Sequence, residues 1–243
     1  MQNRVRKYGK GLKNPYIYLT LKLMQLNTVI FDMDGLLIDS EPCWQEAGTE
    51  TLAQFNIALT LDQYHLTTGL RTKEWIDYWF SYFGIDKARS QEAEDLTHRL
   101  AIEKIAAKGE PMPGVMEILA FFKHKGFRMG LATSSPIALV DVVLKKLGIR
   151  DYLEAIASAE DIPFGKPHPQ VYMNCAAELG VKPTQCVCFE DSFNGMIAAK
   201  AARMRCVVIP APDQYTLPKW GAADLKLPGL LEFSDVHLAS FNQ

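Results

Sequence analysis

The sequence has no apolar run long enough to cross a membrane and no strong excess of charge of either sign. A membrane helix needs about 20 consecutive apolar residues, so we expect no membrane partner. The 26 basic and 28 acidic residues give a net charge of −2, which argues against a nucleic-acid partner. No histidine pairs with a cysteine at the spacing of a zinc finger, and internal repeats are absent.

Cysteine is scarce, and its five copies are an odd number. Because no secretory signal is visible either, we expect reduced thiols in a cytoplasmic protein. Cys186 and Cys188 stand in an apolar run, where small buried side chains are expected rather than metal ligands.

Acidic residues are missing from the first 23 positions, which hold six basic ones. A targeting peptide is one interpretation, but the apolar run 17–23 is interrupted by Lys22 and no small-residue cleavage site follows it. We therefore interpret residues 1–23 as a poorly ordered basic tail rather than as a targeting peptide, and Met24 is an alternative start.

Beyond the tail, short apolar runs alternate with helical patterns. The runs that predict strands are 28–31, 128–132, 155–157, 186–189 and 206–209. Helices that alternate with short apolar strands are typical of a parallel sheet covered on both faces. The sequence therefore predicts an α/β fold with a Rossmann-like sheet.

Residues 43–111 differ from this pattern, because helical periodicities follow one another there without a strand. They cover 44–55, 73–83 and 91–107. We predict an all-helical insertion at 43–111 in a core domain formed by 24–42 and 112–243. The aromatic side chains four residues apart on the second of these helices should pack in the core of the insertion: Trp75, Trp79 and Phe83.

Polar side chains follow four of the predicted strands at the points where the strands end. They are Asp32 and Asp34, then Thr133, Ser134 and Ser135, then Lys166, and finally Glu190 and Asp191. Ligands of open parallel sheets collect beyond the carboxyl ends of the strands, so we expect these side chains to converge. Each group alone is compatible with a turn or a helix cap, but four groups in this order favour a functional site.

Four neighbouring carboxylates repel one another, and a bound cation relieves the repulsion. Carboxylate oxygens are hard ligands, which favour Mg²⁺ over softer metals. Lysine and hydroxyl groups beside such an ion would complete a cradle for a phosphate. The sequence therefore predicts a magnesium site that accepts a phosphorylated ligand.

The same motifs resemble those of the haloacid dehalogenase-like superfamily. The matching residues are Asp32-Met33-Asp34-Gly35, Thr133, Lys166 in Gly165-Lys166-Pro167 and Glu190-Asp191-Ser192. The resemblance runs from about Leu26 to the last helices, and the helical insertion is similar to the family's cap domain. Segments 31–42, 166–172 and 194–198 are similar to bacterial phosphatases that act on 2-deoxyglucose 6-phosphate and hexitol phosphates. Arg203, where many members carry glycine, is shared with that subgroup.

The resemblance implies a role for each matching residue. Asp32 would attack phosphorus and form an aspartyl-phosphate, while Asp34 would protonate the leaving oxygen and then activate water. Thr133 and the Ser134 amide would bind phosphoryl oxygens, and Lys166 would balance their charge.

The resemblance also implies the metal ligands. Mg²⁺ would be held by the Asp32 side chain, the Asp34 backbone carbonyl and Asp191, with Glu190 close by or bound through water.

The cap loop 68–71 resembles the family loop that reaches the substrate. Gly69 and Arg71 are therefore candidate substrate-binding residues, although Arg71 is equally compatible with a solvated surface arginine. For the cap tryptophans we favour packing over sugar stacking: Trp44, Trp75 and Trp79.

Three other functions remain open alternatives. A phosphosugar mutase of the β-phosphoglucomutase type carries threonine and histidine where this chain has Ser40 and Trp44, and the missing histidine favours hydrolysis. A dehalogenase would lack the second aspartate, which is present here as Asp34. A non-catalytic phosphosugar-binding protein would be expected to lose the nucleophile or a metal ligand. We expect a monomer that acts on a small phosphorylated sugar or sugar alcohol.

Overall fold

The computed structural model describes residues 26–241, so the predicted tail at 1–23 lies outside the described residues. A six-stranded sheet forms the centre, and all its strands are parallel in the order β5-β4-β1-β6-β7-β8. The strands are β1 (Thr28–Phe31), β4 (Arg128–Thr133), β5 (Ala155–Ser158), β6 (Cys186–Glu190), β7 (Arg205–Val208) and β8 (Leu225–Lys226). The five predicted strands are confirmed, and β8 is an addition at the sheet edge.

Two short strands and nine α-helices also belong to the described part of the chain. Strands β2 (Ile38–Asp39) and β3 (Glu110–Pro111) pair antiparallel. The helices are α1 (Glu41–Ala53), α2 (Leu61–Thr67), α3 (Thr72–Phe83), α4 (Ser90–Lys108), α5 (Val115–His124), α6 (Ile137–Leu147), α7 (Gln170–Glu178), α8 (Phe193–Ala201) and α9 (Asp235–Ser240). None of them combines the length and the apolar character that a membrane crossing requires.

Both faces of the sheet are buried, as expected for parallel strands between helices. Phe31 of β1 points into a core that contains Phe122 of α5 and Val140 of α6. Its neighbour Ile30 points to the opposite face, against Tyr172 of α7 and residues of α8. All five cysteines are buried and form no disulfide, which confirms the interpretation of Cys186 and Cys188 as small core residues.

Helices α1 to α4 follow one another between β2 and β3, where the cap was predicted, and we refer to them as the cap. Their core differs in part from the prediction. It contains Ile76 and Phe80 of α3 with Leu52, Phe55, Ile57 and Ala93. Trp79 is buried beside it, but Phe83 is 39% exposed and Trp75 is only partly buried. The prediction was therefore right for Trp79, which is buried, and for Trp75, which packs against this core, but it was wrong for Phe83, which is the last residue of α3.

Arg203 has a backbone φ of 66°, which is in the left-handed region. Glycine adopts this conformation without steric cost, whereas other residues adopt it rarely. Arg203 therefore occupies a backbone conformation that glycine would adopt more readily.

Candidate active site

The order of the strands brings the predicted site residues to one edge of the sheet. Strand β1 pairs with β4 on one side and β6 on the other, so their carboxyl ends lie next to each other. Asp32 leaves β1 there, and its backbone N–H donates to the Phe189 carbonyl at 3.0 Å. Thr133 ends β4 and Glu190 ends β6, which confirms the expected convergence.

Lys166 is the buried centre of this edge, with only 1% of its surface exposed. Its Nζ donates to Asp32 Oδ1 at 2.6 Å, to Glu190 Oε1 at 2.7 Å and to the Ala132 carbonyl at 3.1 Å. Burial alone would lower the pKa of Lys166, yet Asp32 and Glu190 raise it above its ordinary value. The ammonium is therefore charged and fixes one oxygen of Asp32.

Glu190 is fully buried and holds Lys166 from the opposite side. The Tyr172 hydroxyl donates to its Oε1, and the Ser192 N–H and hydroxyl donate to its Oε2 at 3.2 and 3.1 Å. A side chain on Gly195 would collide with this carboxylate, so glycine is required there by close approach. The Tyr172 contact was not predicted from the sequence.

Three carboxylates at this edge have the geometry of a cation site. Oxygens of Asp32, Glu190 and Asp191 all lie within 4.8 Å of one another. Burial raises the pKa of Asp32 and of Asp191, and Lys166 opposes the rise in both. Repulsion by Glu190 adds to the rise in both pKa values, and repulsion by Asp32 adds further to that of Asp191. A bound divalent cation would relieve this cost, and an oxygen-only donor set fits Mg²⁺.

Asp34 is held by three hydrogen bonds. Its Oδ1 accepts from Ser40 Oγ at 2.7 Å and from Trp44 Nε1 at 2.8 Å, and its Oδ2 accepts from Ser135 Oγ at 2.6 Å. Trp44 packs against the hydrophobic core, as expected, and in addition it contacts a predicted catalytic residue. Ser135 was noted in the sequence but not assigned this partner.

A cavity that is open to solvent lies between this edge and the cap. Its core side contains Asp32, Asp34, Thr133, Ser134, Ser135, Lys166 and Asp191. Its cap side contains Glu41, Trp44, Gln45, Gly48, Tyr64, Thr67, Thr68, Gly69, Leu70, Thr72, Trp75 and Thr97. Of the predicted site residues, Arg71 and Glu190 do not line it.

The loop before α3 forms hydrogen bonds between the cap and the core. The Gly69 carbonyl accepts from Ser134 Oγ at 3.0 Å, and the Thr68 carbonyl accepts from Asn194 Nδ2 at 2.9 Å. Gly69 has a φ of +83°, and a side chain there would collide with Ser192. Glycine is therefore required at this position by conformation and by space.

On the cap side of the cavity, two aromatic side chains, Tyr64 and Trp75, lie close to Gly48. A Cβ on Gly48 of α1 would lie 2.8 Å from the Tyr64 hydroxyl and 2.9 Å from the Trp75 ring. The absence of a side chain there keeps this end of the cavity open. Trp75 lines the cavity, so packing within the cap does not describe its surroundings fully.

Arg71 lies at the junction of cap and core, with its side chain 10% exposed. The interpretation as a solvated surface arginine was therefore wrong. Its guanidinium donates to core carbonyls, including Ala159 at 2.8 Å and Ile162 at 2.6 Å. Direct contact of Arg71 with a substrate stays a prediction.

Comparison with known proteins places these observations in a family context. Residues 26–203 match the family described as haloacid dehalogenase-like hydrolase. Hexitol phosphatase B of Escherichia coli K12 is 43% identical over 211 residues, which are 86% of this chain and 95% of that protein. The fructose-1-phosphate phosphatase of the same strain is 32% identical over 186 residues, 74% of this chain and 94% of that protein.

A solved structure has the same architecture. The crystal structure of CbbY from Rhodobacter sphaeroides in complex with phosphate aligns with a TM-score of 0.76 at 26% sequence identity. The alignment covers 88% of this chain and 100% of that chain.

Proposed function

The chain belongs to the haloacid dehalogenase-like hydrolases, and from this premise we propose that it hydrolyses phosphomonoesters of small sugars or sugar alcohols with Mg²⁺, through an aspartyl-phosphate on Asp32. The observation that carries the proposal is the pairing of Asp32 with buried Lys166 at 2.6 Å, beside a second, separately held aspartate and a carboxylate cluster.

Asp32 is the proposed nucleophile. Lys166 holds its Oδ1, which leaves Oδ2 to attack the phosphorus of a phosphate in the cavity. The P–O bond to the sugar breaks as the new Asp32–phosphorus bond forms, and water later hydrolyses the acyl phosphate. Thr133 and Ser134 line the cavity at this point, where they would bind the phosphoryl oxygens.

Asp34 is the proposed general acid and base. It gives a proton to the departing sugar oxygen and takes one from the attacking water. Ser40, Trp44 and Ser135 fix the orientation of its carboxyl group, so the proton is presented from one direction. Asp32, Asp191 and the Asp34 backbone carbonyl would hold Mg²⁺, with Glu190 behind them. The ion would neutralise charge on the phosphoryl oxygens.

The cavity supports a small polyhydroxylated leaving group. Its cap side is lined by the polar residues Gln45, Tyr64 and Thr97 beside the Trp75 ring. The names of the two related phosphatases, for a hexitol and for fructose 1-phosphate, support the same substrate class. We propose that residues 43–111 act as the cap that encloses it and that 24–42 and 112–243 form the core.

Phosphate release from a panel of substrates tests this proposal. The panel contains 2-deoxyglucose 6-phosphate, mannitol 1-phosphate, glucose 6-phosphate and β-glucose 1-phosphate, each with Mg²⁺ or with EDTA. We expect release with Mg²⁺ and loss of at least about 10³-fold with EDTA, because the ion stabilises transition-state charge. Conversion of β-glucose 1-phosphate to glucose 6-phosphate without release would instead identify a mutase. Binding without turnover of any panel member would identify a binding protein.

The contact between Trp44 and Asp34 gives a second prediction. Trp44→Phe removes one of three hydrogen bonds to the carboxylate while keeping an aromatic ring in the cavity. The remaining two hydrogen bonds would orient the Asp34 carboxyl group less firmly, and a misplaced general acid loses much of its effect, so we expect kcat to fall about tenfold or more. Trp220→Phe is the matched control, because Trp220 is buried in the core and does not line the cavity. Equal kcat values for both variants would contradict the role of Trp44.

A further inference from the structure

Two cap residues contact both ends of the core segment that leads to Lys166. Arg71 precedes α3 and Glu74 lies in its first turn. The Arg71 guanidinium donates to the Ala159 and Ile162 carbonyls at 2.8 and 2.6 Å, and more distantly to those of Glu160 and Pro163, each at 3.4 Å. The segment 159–165 is therefore bound along its length by one side chain of the cap.

Glu74 contacts the other end of the segment. Its Oε1 accepts from the Gly165 backbone N–H at 2.8 Å and from Arg71 Nη2 at 3.0 Å. We call Arg71, Glu74 and their hydrogen bonds to 159–165 the clasp. The residue after Gly165 is Lys166, so the clasp ends one residue before the lysine that pairs with Asp32.

The core segment 159–165 has a glycine, Gly165, at the point where the Glu74 carboxylate approaches it. A side chain on Gly165 would collide with the Glu74 carboxylate and would come within 3.1 Å of Arg71. The φ of Gly165 lies outside the left-handed region, so its backbone conformation does not require glycine. Glycine at 165 is thus explained by the approach of the cap.

We propose that Arg71 and Glu74 are positioning residues that couple the seating of the cap to the placement of Lys166. This inference rests on the proposed function. When the cap is seated, the clasp holds segment 159–165 so that Lys166 Nζ lies 2.6 Å from Asp32. When the cap lifts, the segment loses these hydrogen bonds and Lys166 loses its fixed position, so the nucleophile is fully arranged only in the enclosed cavity.

The coupling predicts a defect in turnover rather than in substrate affinity. Arg71→Ala should lower kcat about 10²-fold, because small misplacements of catalytic groups cost factors of this size. The loss should be the same for mannitol 1-phosphate and for p-nitrophenyl phosphate, whose leaving group has no sugar hydroxyls, and KM should change less than about threefold, since binding contacts remain. Arg71→Ala/Glu74→Ala should be no worse than either single variant, because the two residues act as a unit.

Conservative variants separate positioning from folding. Glu74→Gln keeps an oxygen that can accept from Gly165 and Arg71, so it should retain most of the wild-type kcat, whereas Glu74→Ala should not. Arg89→Ala is the matched control: Arg89 and Glu92 form another arginine–glutamate pair three residues apart in the cap, 48% and 57% exposed. It should leave kcat and KM unchanged. Thermal unfolding of each variant identifies any that fail to fold.

The hydrogen-exchange rate of the Gly165 amide measures the hydrogen bonds of the clasp independently of catalytic activity. The Gly165 amide should exchange at least about tenfold faster in Arg71→Ala and Glu74→Ala than in the wild type and in Arg89→Ala, because it loses its acceptor or the acceptor's anchor. Unchanged exchange at Gly165 would overturn the inference. So would a rise in KM for mannitol 1-phosphate with kcat preserved, which would make Arg71 a substrate ligand. A wild-type protein that releases no phosphate would contradict the proposed function. Hydrogen exchange at the Gly165 amide would still show whether Arg71 and Glu74 hold segment 159–165.

Discussion

Asp32→Asn is expected to lower phosphate release at least about 10⁴-fold, a loss of the size seen when a covalent nucleophile is removed. The amide has nearly the same shape as the carboxylate but is not a nucleophile, and it carries no charge for Lys166 or for Mg²⁺. Because Asp32 is only 6% exposed and tightly surrounded, a substitution of equal shape should leave the fold intact. Steady-state rates with mannitol 1-phosphate measure the effect.

Asp39→Asn is the matched control for this variant. Asp39 lies on β2, a few residues beyond the nucleophile, and its side chain is exposed and outside the cavity. It should retain wild-type activity. Asp32→Asn with more than a tenth of the wild-type kcat would show that another group attacks the phosphorus.

Lys166→Met is expected to have the second largest effect, with kcat falling about 10³-fold or more from the loss of preorganised charge. Methionine fills much of the same space but leaves Asp32 and Glu190 without their buried cation. Lys166 lowers the pKa of Asp32, so its removal raises that pKa and reduces the anionic fraction of the nucleophile at a given pH. Any residual activity should therefore rise with pH over a more alkaline range than in the wild type.

Lys104→Met is a matched control for the lysine. Lys104 Nζ also contacts two carboxylates, Glu46 at 3.3 Å and Glu50 at 2.8 Å, but on the surface of the cap. Surface ion pairs contribute about 0–1 kcal/mol, so this variant should keep its activity and nearly all its stability. A pH profile for Lys166→Met that matches the wild type would contradict the proposed pairing with Asp32.

The sequence predicted the core sheet well because its strands are apolar runs buried on both faces. Strand β8 was missed because Leu225–Lys226 is too short to show a pattern. Helix α2 was also missed, although Thr60 and Gln63 form a capping box that is visible in the sequence. Its seven residues are too few for a helical period to stand out from a loop.

Side-chain partners in the site were harder to predict than positions on strands. Asp32 and Lys166 are far apart in the chain, and their meeting follows from the strand order. By contrast, the hydrogen bond from Trp44 to Asp34 and the one from Tyr172 to Glu190 depend on how whole helices are rotated. Apolar periodicity indicates which face of a helix is buried, but it does not indicate which aromatic residue reaches a carboxylate.

Arg71 illustrates the same limit. The sequence suggested that Arg71 is either a substrate ligand or a surface residue, and neither interpretation included a contact with the core domain. Its observed partners are carbonyl groups of the core segment 159–163, and backbone acceptors carry no signature in the sequence. The structure alone explains Gly165, because its φ is not left-handed and a side chain there would collide with Glu74.

Chemical trapping of the covalent intermediate tests the central claim most directly. The protein would be mixed with mannitol 1-phosphate and Mg²⁺, quenched, reduced with borohydride and digested for mass spectrometry. An aspartyl-phosphate is reduced to homoserine, so the account predicts homoserine at position 32, and none with EDTA or in Asp32→Asn. Phosphate release that continues without homoserine at position 32, or with the reduced residue at another carboxylate, would contradict it.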